Sequence, residues 1–195
     1  VDLEGVHLLR TVDDAVRLRD AIRTAGRVAV VGAGWLGSEV AASARQMGAE
    51  VVLVDPAPTP LHRVVGDRIG EVFSNVHADH GVALRLGTGV AALHGATSVE
   101  AVELGDGRIE PADVVVLGVG VSPRTDLARD IPGLRIGDGI EVDEHLWTGV
   151  DGIFAAGDVA NAWHPRLGRS VRVEHWANAL NQGLSAGRNA TGHNE

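Results

Sequence analysis

One stretch constrains this chain more than any other: Val28-Ala-Val-Val31, then Gly32-Ala-Gly-Trp-Leu-Gly37, then a helical pattern to about Met47, where Gly48 ends it. A continuous apolar run bounded by turn signals reads as a strand buried on both faces, as in a parallel sheet. The glycines that follow have the G-x-G-x-x-G spacing. Gly32 permits a tight turn, Gly34 leaves room for a pyrophosphate against the backbone, and Gly37 lets helix and strand pack closely. The start of the helix then offers free N–H groups and partial positive charge to the phosphates. A second apolar run, Val51–Val54, closes on Asp55. A carboxylate at that place accepts hydrogen bonds from an adenosine ribose. The combination points to dinucleotide binding, against the plainer alternative of a tightly packed glycine turn. Asp55 repels a 2′-phosphate and so favours NAD(H). Arg63, a little further on, is either a solvated loop charge or a group that reaches a 2′-phosphate.

The remaining elements follow from the same kind of pattern. Thr11 caps a helix running to about Thr24, with Asp13 and Asp14 at its positive end and Gly26 as a stop. Pro56, Pro58 and Pro60 force a loop, Asp67 to about Asp79 is helical, and Val82–Leu86 is a strand. Val99–Leu104 and Arg108–Pro111, around Gly105-Asp106-Gly107, form a small antiparallel hairpin. Val114–Leu117 is a buried strand closing on Gly118-Val-Gly120. After Pro123 the periodicity fades. Short strands are expected at Gly139–Val142 and Ile153–Ala155, and a last helix from Trp176 to about Asn189. The boundary falls near 121–125. The fold expected is α/β: a Rossmann-like three-layer NAD-binding domain over 1–122, with a parallel sheet and a small antiparallel hairpin. Residues 123–195 hold too few strands for an α/β sheet of their own and read as part of a second domain.

Composition narrows the chemistry. Among 195 residues there is no Cys and no Tyr. That excludes disulfides, dithiol redox pairs, Cys-based metal sites and a tyrosine general acid. All 17 basic residues are Arg, which excludes a Walker-type phosphate loop, and the formal charge of −9 disfavours nucleic acid and anionic membranes. No apolar run is long enough to span a bilayer and no signal peptide is recognisable, so a soluble, cytoplasmic protein is expected. Trp163–Arg172 carries His164, Arg166, Arg169 and Arg172, with no acid from Val159 to Val173. This is either a docking face for an acidic protein or a loop whose acids lie nearby in space. His77 and His80 share a helix face, but no third ligand is evident, so a surface helix end is expected there and no metal site. Three features remain open on chemistry alone. Glu39 is either a carboxylate on a helix's positive end or a group near a nicotinamide. Gly118 and Gly120 form either a wall beside a ligand or an inter-domain turn. Asp158 contacts a sugar or ribitol hydroxyl, or caps the next short helix.

The order of these motifs resembles the pyridine-nucleotide, FAD-dependent oxidoreductases, most nearly the ferredoxin, putidaredoxin and rubredoxin reductase branch. The matching text is Gly5–Asp14, Val30–Glu39, Asp113–Pro123, Ile153–Val159 and Arg172–Gly183. The resemblance implies that Gly32, Gly34 and Gly37 hold the NADH pyrophosphate, and that Leu36 and Arg63 belong with them to the NAD site. It assigns Asp55 to the adenosine ribose, and Glu39 with Gly118 and Gly120 to the nicotinamide end. Arg10 and Asp158 would contact FAD, Asp158 at the ribitol. Trp176 would lie by the flavin and nicotinamide, and the helix from about Ala177 would aim its positive end at the flavin. The implied reaction is hydride transfer from NADH to flavin and single-electron transfer to a small iron–sulfur protein or rubredoxin. Arg166, Arg169 and Arg172 are candidates for docking that acceptor. No side chain need act as a covalent catalyst, because the flavin carries the chemistry. The family has an earlier glycine-rich motif for FAD and a C-terminal interface domain. This chain is therefore expected to be a central piece, a whole NADH domain plus an incomplete FAD-domain segment, with apolar surface left exposed. The alternatives are an NAD(H)-binding module without catalysis of its own, an NADH oxidase, or a nitrite reductase flavin module.

Overall fold

The computed structural model describes residues 3–193, which form two compact units divided between Gly120 and Val121. In the first unit, β1 (Val6–His7), α1 (Val12–Thr24), β2 (Arg27–Val31), α2 (Trp35–Gln46), β3 (Glu50–Asp55), α3 (His62–Asp79) and β4 (Val82–Leu86) alternate. Three antiparallel strands follow, β5 (Val90–His94), β6 (Ala101–Leu104) and β7 (Ile109–Pro111), and then β8 (Val114–Leu117). The parallel sheet runs β1-β8-β2-β3-β4, and β5-β6-β7 make a second sheet. The expected hairpin thus gains a third strand, β5, and β8 gains the short neighbour β1.

The apolar runs form parallel strands because both of their faces are covered. Val28, Val30, Val51, Leu53, Val114 and Val116 join α1 and α2 in one core, through Leu18, Ile22, Val40, Ala41 and Ala44. The alternate residues Ala29, Val31, Val52, Val54 and Val115 join Val102, Leu104 and Ala112 of the antiparallel layer in another. The register aligns Val30 with Leu53 and with Val116. A slip by one residue would exchange the two faces, so the packing fixes the pairing. Asp113 reinforces it: its carboxylate accepts from the Gly26 and Arg27 amides at 3.1 and 2.9 Å and from Arg27 Nη2 at 2.6 Å. These bonds tie the starts of β2 and β8 and hold the Asp113 carboxyl below its usual range.

The first helix starts as its sequence predicts, capped by Thr11, and at its other end the C-cap is Ala25 in extended conformation. The Thr11 hydroxyl accepts from the Asp14 amide while the Asp14 side chain accepts from the Thr11 amide, a capping box. Its hydrogen bonds to Thr11 lower the Asp14 carboxyl to about 2. The third helix begins earlier than expected, at His62. Gly66, at φ 73°, interrupts it, so its first turn is a separate piece before the run from Asp67. His77 is not at a surface: it is 6 % exposed, and burial, with the neighbouring His80 charge, lowers its basicity.

The second unit holds more sheet than its sequence suggests. β9 (Ile136–Gly137), β10 (Gly139–Val142), β11 (Ala160–His164) and β12 (Arg169–Val171) form a sheet of order β12-β11-β10-β9, followed by α4 (Trp176–Ala190). The basic stretch Trp163–Arg172 lies in and beside the β11–β12 hairpin. Ile153–Ala155, expected as a strand, contributes only a single bridge from Phe154 to Trp147. Thr148 N–H to Ile153 O and Ala155 N–H to Leu146 O flank that bridge, and the pairing stops there because the Ile153 amide turns back to Val150 O. Among the described residues no helix is long and apolar enough to cross a membrane.

Candidate functional site

The carboxyl ends of β2, β3 and β8 bring Gly32, Gly34, Gly37, Asp55 and Gly118 together. The Gly32 amide donates to Val54 O at 2.8 Å, and the Gly118 amide to Val31 O at 2.7 Å. Each motif glycine answers a different demand. A Cβ on Gly32, at φ 100°, would fall 2.3 Å from Gly118 O, and one on Gly37 would fall 1.7 Å from Gly32 O. Both positions are closed by the protein's own backbone. Gly34 is different. Its φ of −72° and ψ of −169° suit any residue, and a Cβ there would meet nothing within 4 Å. Neither strain nor packing explains that glycine, whereas a phosphate lying against the backbone does.

Gly34 is also the N-cap of α2, and no side chain caps that helix. The first intrahelical bond is Ser38 N–H to Gly34 O, which leaves the amides of the first turn without intrahelical partners. Those donors and the helix dipole make an anion site. Leu36 lies in this turn, but its side chain packs against the helix-side core, so only its backbone can serve a ligand.

Asp55 stands at the end of β3. Its Oδ2 accepts from the Ala33 amide at 2.6 Å and its Oδ1 from the Ala57 amide at 2.7 Å. The carboxylate is therefore fixed in the glycine loop itself, with lone pairs remaining on both oxygens. This contact was not legible in the sequence, because Ala33 is one of the motif's variable positions. The loop after β3 returns to the same place: the Leu61 amide donates to Ala33 O at 2.8 Å, and Leu61 adopts φ 56°. That anchors the start of α3 and sets the exposed Arg63 just beyond it. Gly118 has only ordinary contacts at its Cβ position, while Gly120 needs its glycine for conformation, at φ 107°.

Glu39 is exposed on α2. With Trp35, Phe73 and His77 it lines a cavity of about 500 Å³ between α2 and α3. Trp35 meets Phe73 edge-on at 6.4 Å. Arg10 is exposed just before α1, and its guanidinium has no partner among the described residues.

In the second unit Asp158 lies within a 3-10 turn, Gly157–Val159, rather than capping a helix, and is exposed. Its side chain has no partner among the described residues. Gly157 binds this turn to α4: its amide donates to Gln182 Oε1 at 2.8 Å, and a Cβ on it would lie 3.2 Å from Ala179 Cβ. Trp176, 74 % exposed, opens α4. Within this unit, an exposed carboxylate and an exposed indole suit hydroxyls and an aromatic ring.

Arg172 departs from the basic-patch expectation. Its side chain is 13 % exposed and pairs with Asp138 at 3.0 Å and with Glu174. These two acids raise its basicity and neutralise it, so it holds the approach to α4 in place. Arg166 and Arg169 are exposed in the β11–β12 hairpin. Among the described residues no group of three or more acidic or imidazole side chains could hold a metal.

The model of the pyridine nucleotide-disulphide oxidoreductase family matches residues 1–183. The ferredoxin–NAD(+) reductase component of an anthranilate 1,2-dioxygenase system from Burkholderia cepacia is 41 % identical over 95 % of the chain and 46 % of its own length. Rhodocoxin reductase from Rhodococcus erythropolis is 38 % identical over 98 % of the chain and 45 % of its own length. Putidaredoxin reductase, in the crystal structure of its covalent complex with putidaredoxin, superposes with a TM-score of 0.91 at 33 % identity, over 98 % of this chain and 46 % of that one. The chain spans about half the length of the relatives it matches.

Proposed function

The chain belongs to the pyridine nucleotide-disulphide oxidoreductase family, and from that premise we propose that it is the NADH-binding part, with a segment of the FAD-binding part, of a ferredoxin reductase. In this reading residues 1–122 hold NADH and residues 123–195 contribute to the flavin site. The observation that carries it is Gly34, where neither conformation nor packing calls for a glycine and a close-lying pyrophosphate does. The relatives named as ferredoxin–NAD(+) reductases support NADH as donor and a small iron–sulfur protein as acceptor. A cytoplasmic location belongs to the same proposal.

The residues divide the work. The uncapped first turn of α2, from Trp35 to Gly37, binds the pyrophosphate through backbone N–H groups. Asp55, held by the Ala33 and Ala57 amides, accepts from the adenosine ribose and opposes a 2′-phosphate; Arg63 stands nearby. Glu39, Gly118 and Gly120 serve the nicotinamide end. Arg10, Asp158 and Trp176 serve FAD, with Asp158 at the ribitol and Trp176 against the ring. The chemistry that FAD supplies when bound is acceptance of a hydride and release of single electrons. Arg166 and Arg169 are the exposed cations available to an acidic acceptor.

Calorimetric titration of the chain with NADH and NADPH tests this reading. Saturable binding with NADH preferred is expected; binding of neither nucleotide overturns it. The placement of the glycine loop and Asp55 within the first unit favours one second reading, a nucleotide-binding module that does not catalyse alone. A visible spectrum taken with FAD added, before and after anaerobic NADH, separates the two. Bleaching of a bound flavin identifies a reductase, and NADH binding without flavin identifies the module.

A further inference from the structure

The residue that caps α4 is an unusual choice. Helix N-caps are mostly Ser, Thr, Asp or Asn, whose oxygens accept a hydrogen bond across the physiological pH range. Here the cap is His175, with extended backbone, and its Nδ1 accepts from the Ala177 amide at 3.1 Å. An imidazole accepts at Nδ1 only when that nitrogen carries no proton, so the bond defines a neutral ring with its hydrogen on Nε2. The same ring stacks on Trp176, with centroids 5.7 Å apart and planes at 30°. Stacking tolerates either charge state. The cap does not: a proton on Nδ1 turns the acceptor into a donor and sets a positive charge against the positive end of the helix dipole.

Glu174 precedes the ring, but it is paired with Arg172, which also binds Asp138. On the 3-10 turn packed against α4, the charged group is Asp158. The Asn178 side chain, on the first turn of the helix, donates to Val173 O at 3.1 Å rather than capping. The Ala177 amide therefore depends on His175 alone, because a first-turn amide has no intrahelical acceptor.

We propose that His175 is a pH-sensitive positioning residue: its neutral imidazole caps the first turn of α4, which begins at Trp176, and protonation releases that turn. The inference rests on the reading above for its consequence, since that reading gives the amino end of α4 and Trp176 to the flavin.

The test uses the whole chain without cofactor. Amide hydrogen exchange at Ala177 is followed from about pH 8 to about pH 5, as a protection factor, in the wild type, His175→Ser and His175→Asn. Imidazole nitrogen shifts report which ring nitrogen carries the proton. The expected result is protection of Ala177 falling roughly fivefold on acidification in the wild type, the size of one N-cap interaction. In the Ser and Asn variants, whose caps accept at both pH values, protection should persist. Equal wild-type protection at both ends, or a proton on Nδ1 at the alkaline end, overturns the proposal. Neither readout involves flavin or NADH, so this inference and the functional reading can fail separately.

Discussion

Alanine at two glycines of one motif should have opposite consequences. At Gly37 the new Cβ would sit 1.7 Å from Gly32 O, a contact with backbone that no rotamer relieves. Either α2 moves off β2 or the glycine loop shifts, at a cost of about 3 kcal/mol or more. For a chain of this size that is a fall in Tm of roughly 6–12 °C. At Gly34 the backbone already suits alanine and the Cβ meets nothing within 4 Å. The weaker helix cap and the reduced freedom of the unfolded chain pull in opposite directions, so stability should change by less than about 1 kcal/mol. The pyrophosphate, however, would lose its close approach. Losing one charge-assisted hydrogen bond costs about 1.5–3 kcal/mol, a roughly 10- to 100-fold rise in Kd for NADH. Thermal melts and calorimetric titrations of the two variants decide the matter. A folded Gly34→Ala protein that binds NADH like the wild type would refute the reasoning. So would a Gly34→Ala protein that melts as low as Gly37→Ala.

Three further outcomes follow from the same contacts. Asp55→Asn should weaken NADH binding and narrow the preference over NADPH by roughly tenfold, because one carboxylate charge opposes the 2′-phosphate; competitive titration with both nucleotides reads it. Leu53→Ala, at a fully buried position on β3, should cost about 3 kcal/mol in a denaturant melt through the lost transfer and the cavity left behind. Asp113→Asn should lower stability at neutral pH by about 1 kcal/mol after solvent screening of this part-exposed carboxylate. The sign with pH follows from the depressed carboxyl: its contribution is complete above the unfolded carboxylate range and is lost as pH falls through the lower folded value. Melts of wild type and Asp113→Asn should therefore converge in acid.

What was legible in the sequence was local or strongly patterned. The Thr11 cap, the valine runs of β2, β3 and β8 and the spacing of Gly32, Gly34 and Gly37 each state their structure over a few residues. Asp55 was recognisable because it closes a buried run. The misses depend on distant partners or on short, weakly patterned strands. β1 has two residues and exists because β8 pairs with it. β11 reads Ala-Asn-Ala-Trp-His, with no β-branched residue, and is held by β10 and β12 on either side. Arg172 looked like a free cation because the acid-free stretch stops at Val173: one partner, Glu174, is the next acid along, and the other, Asp138, lies far back in the chain. The burial of His77 depends on how α3 packs, and nothing in its own neighbourhood of sequence announces it. His175 carried a signal that could have been read, a helix start without Ser, Thr, Asp or Asn, but the geometry of its ring was needed to turn that into a cap.

The central claim is that the amides opening α2 and the carboxylate closing β3 hold NADH. The most direct test is to titrate the isotope-labelled chain with NADH and follow the backbone amide signals. The account predicts saturable shifts centred on Ala33, Gly34, Trp35, Leu36 and Gly37, with a second group around Asp55 and Ala57. Saturable binding that leaves those signals unmoved and perturbs another surface would contradict it.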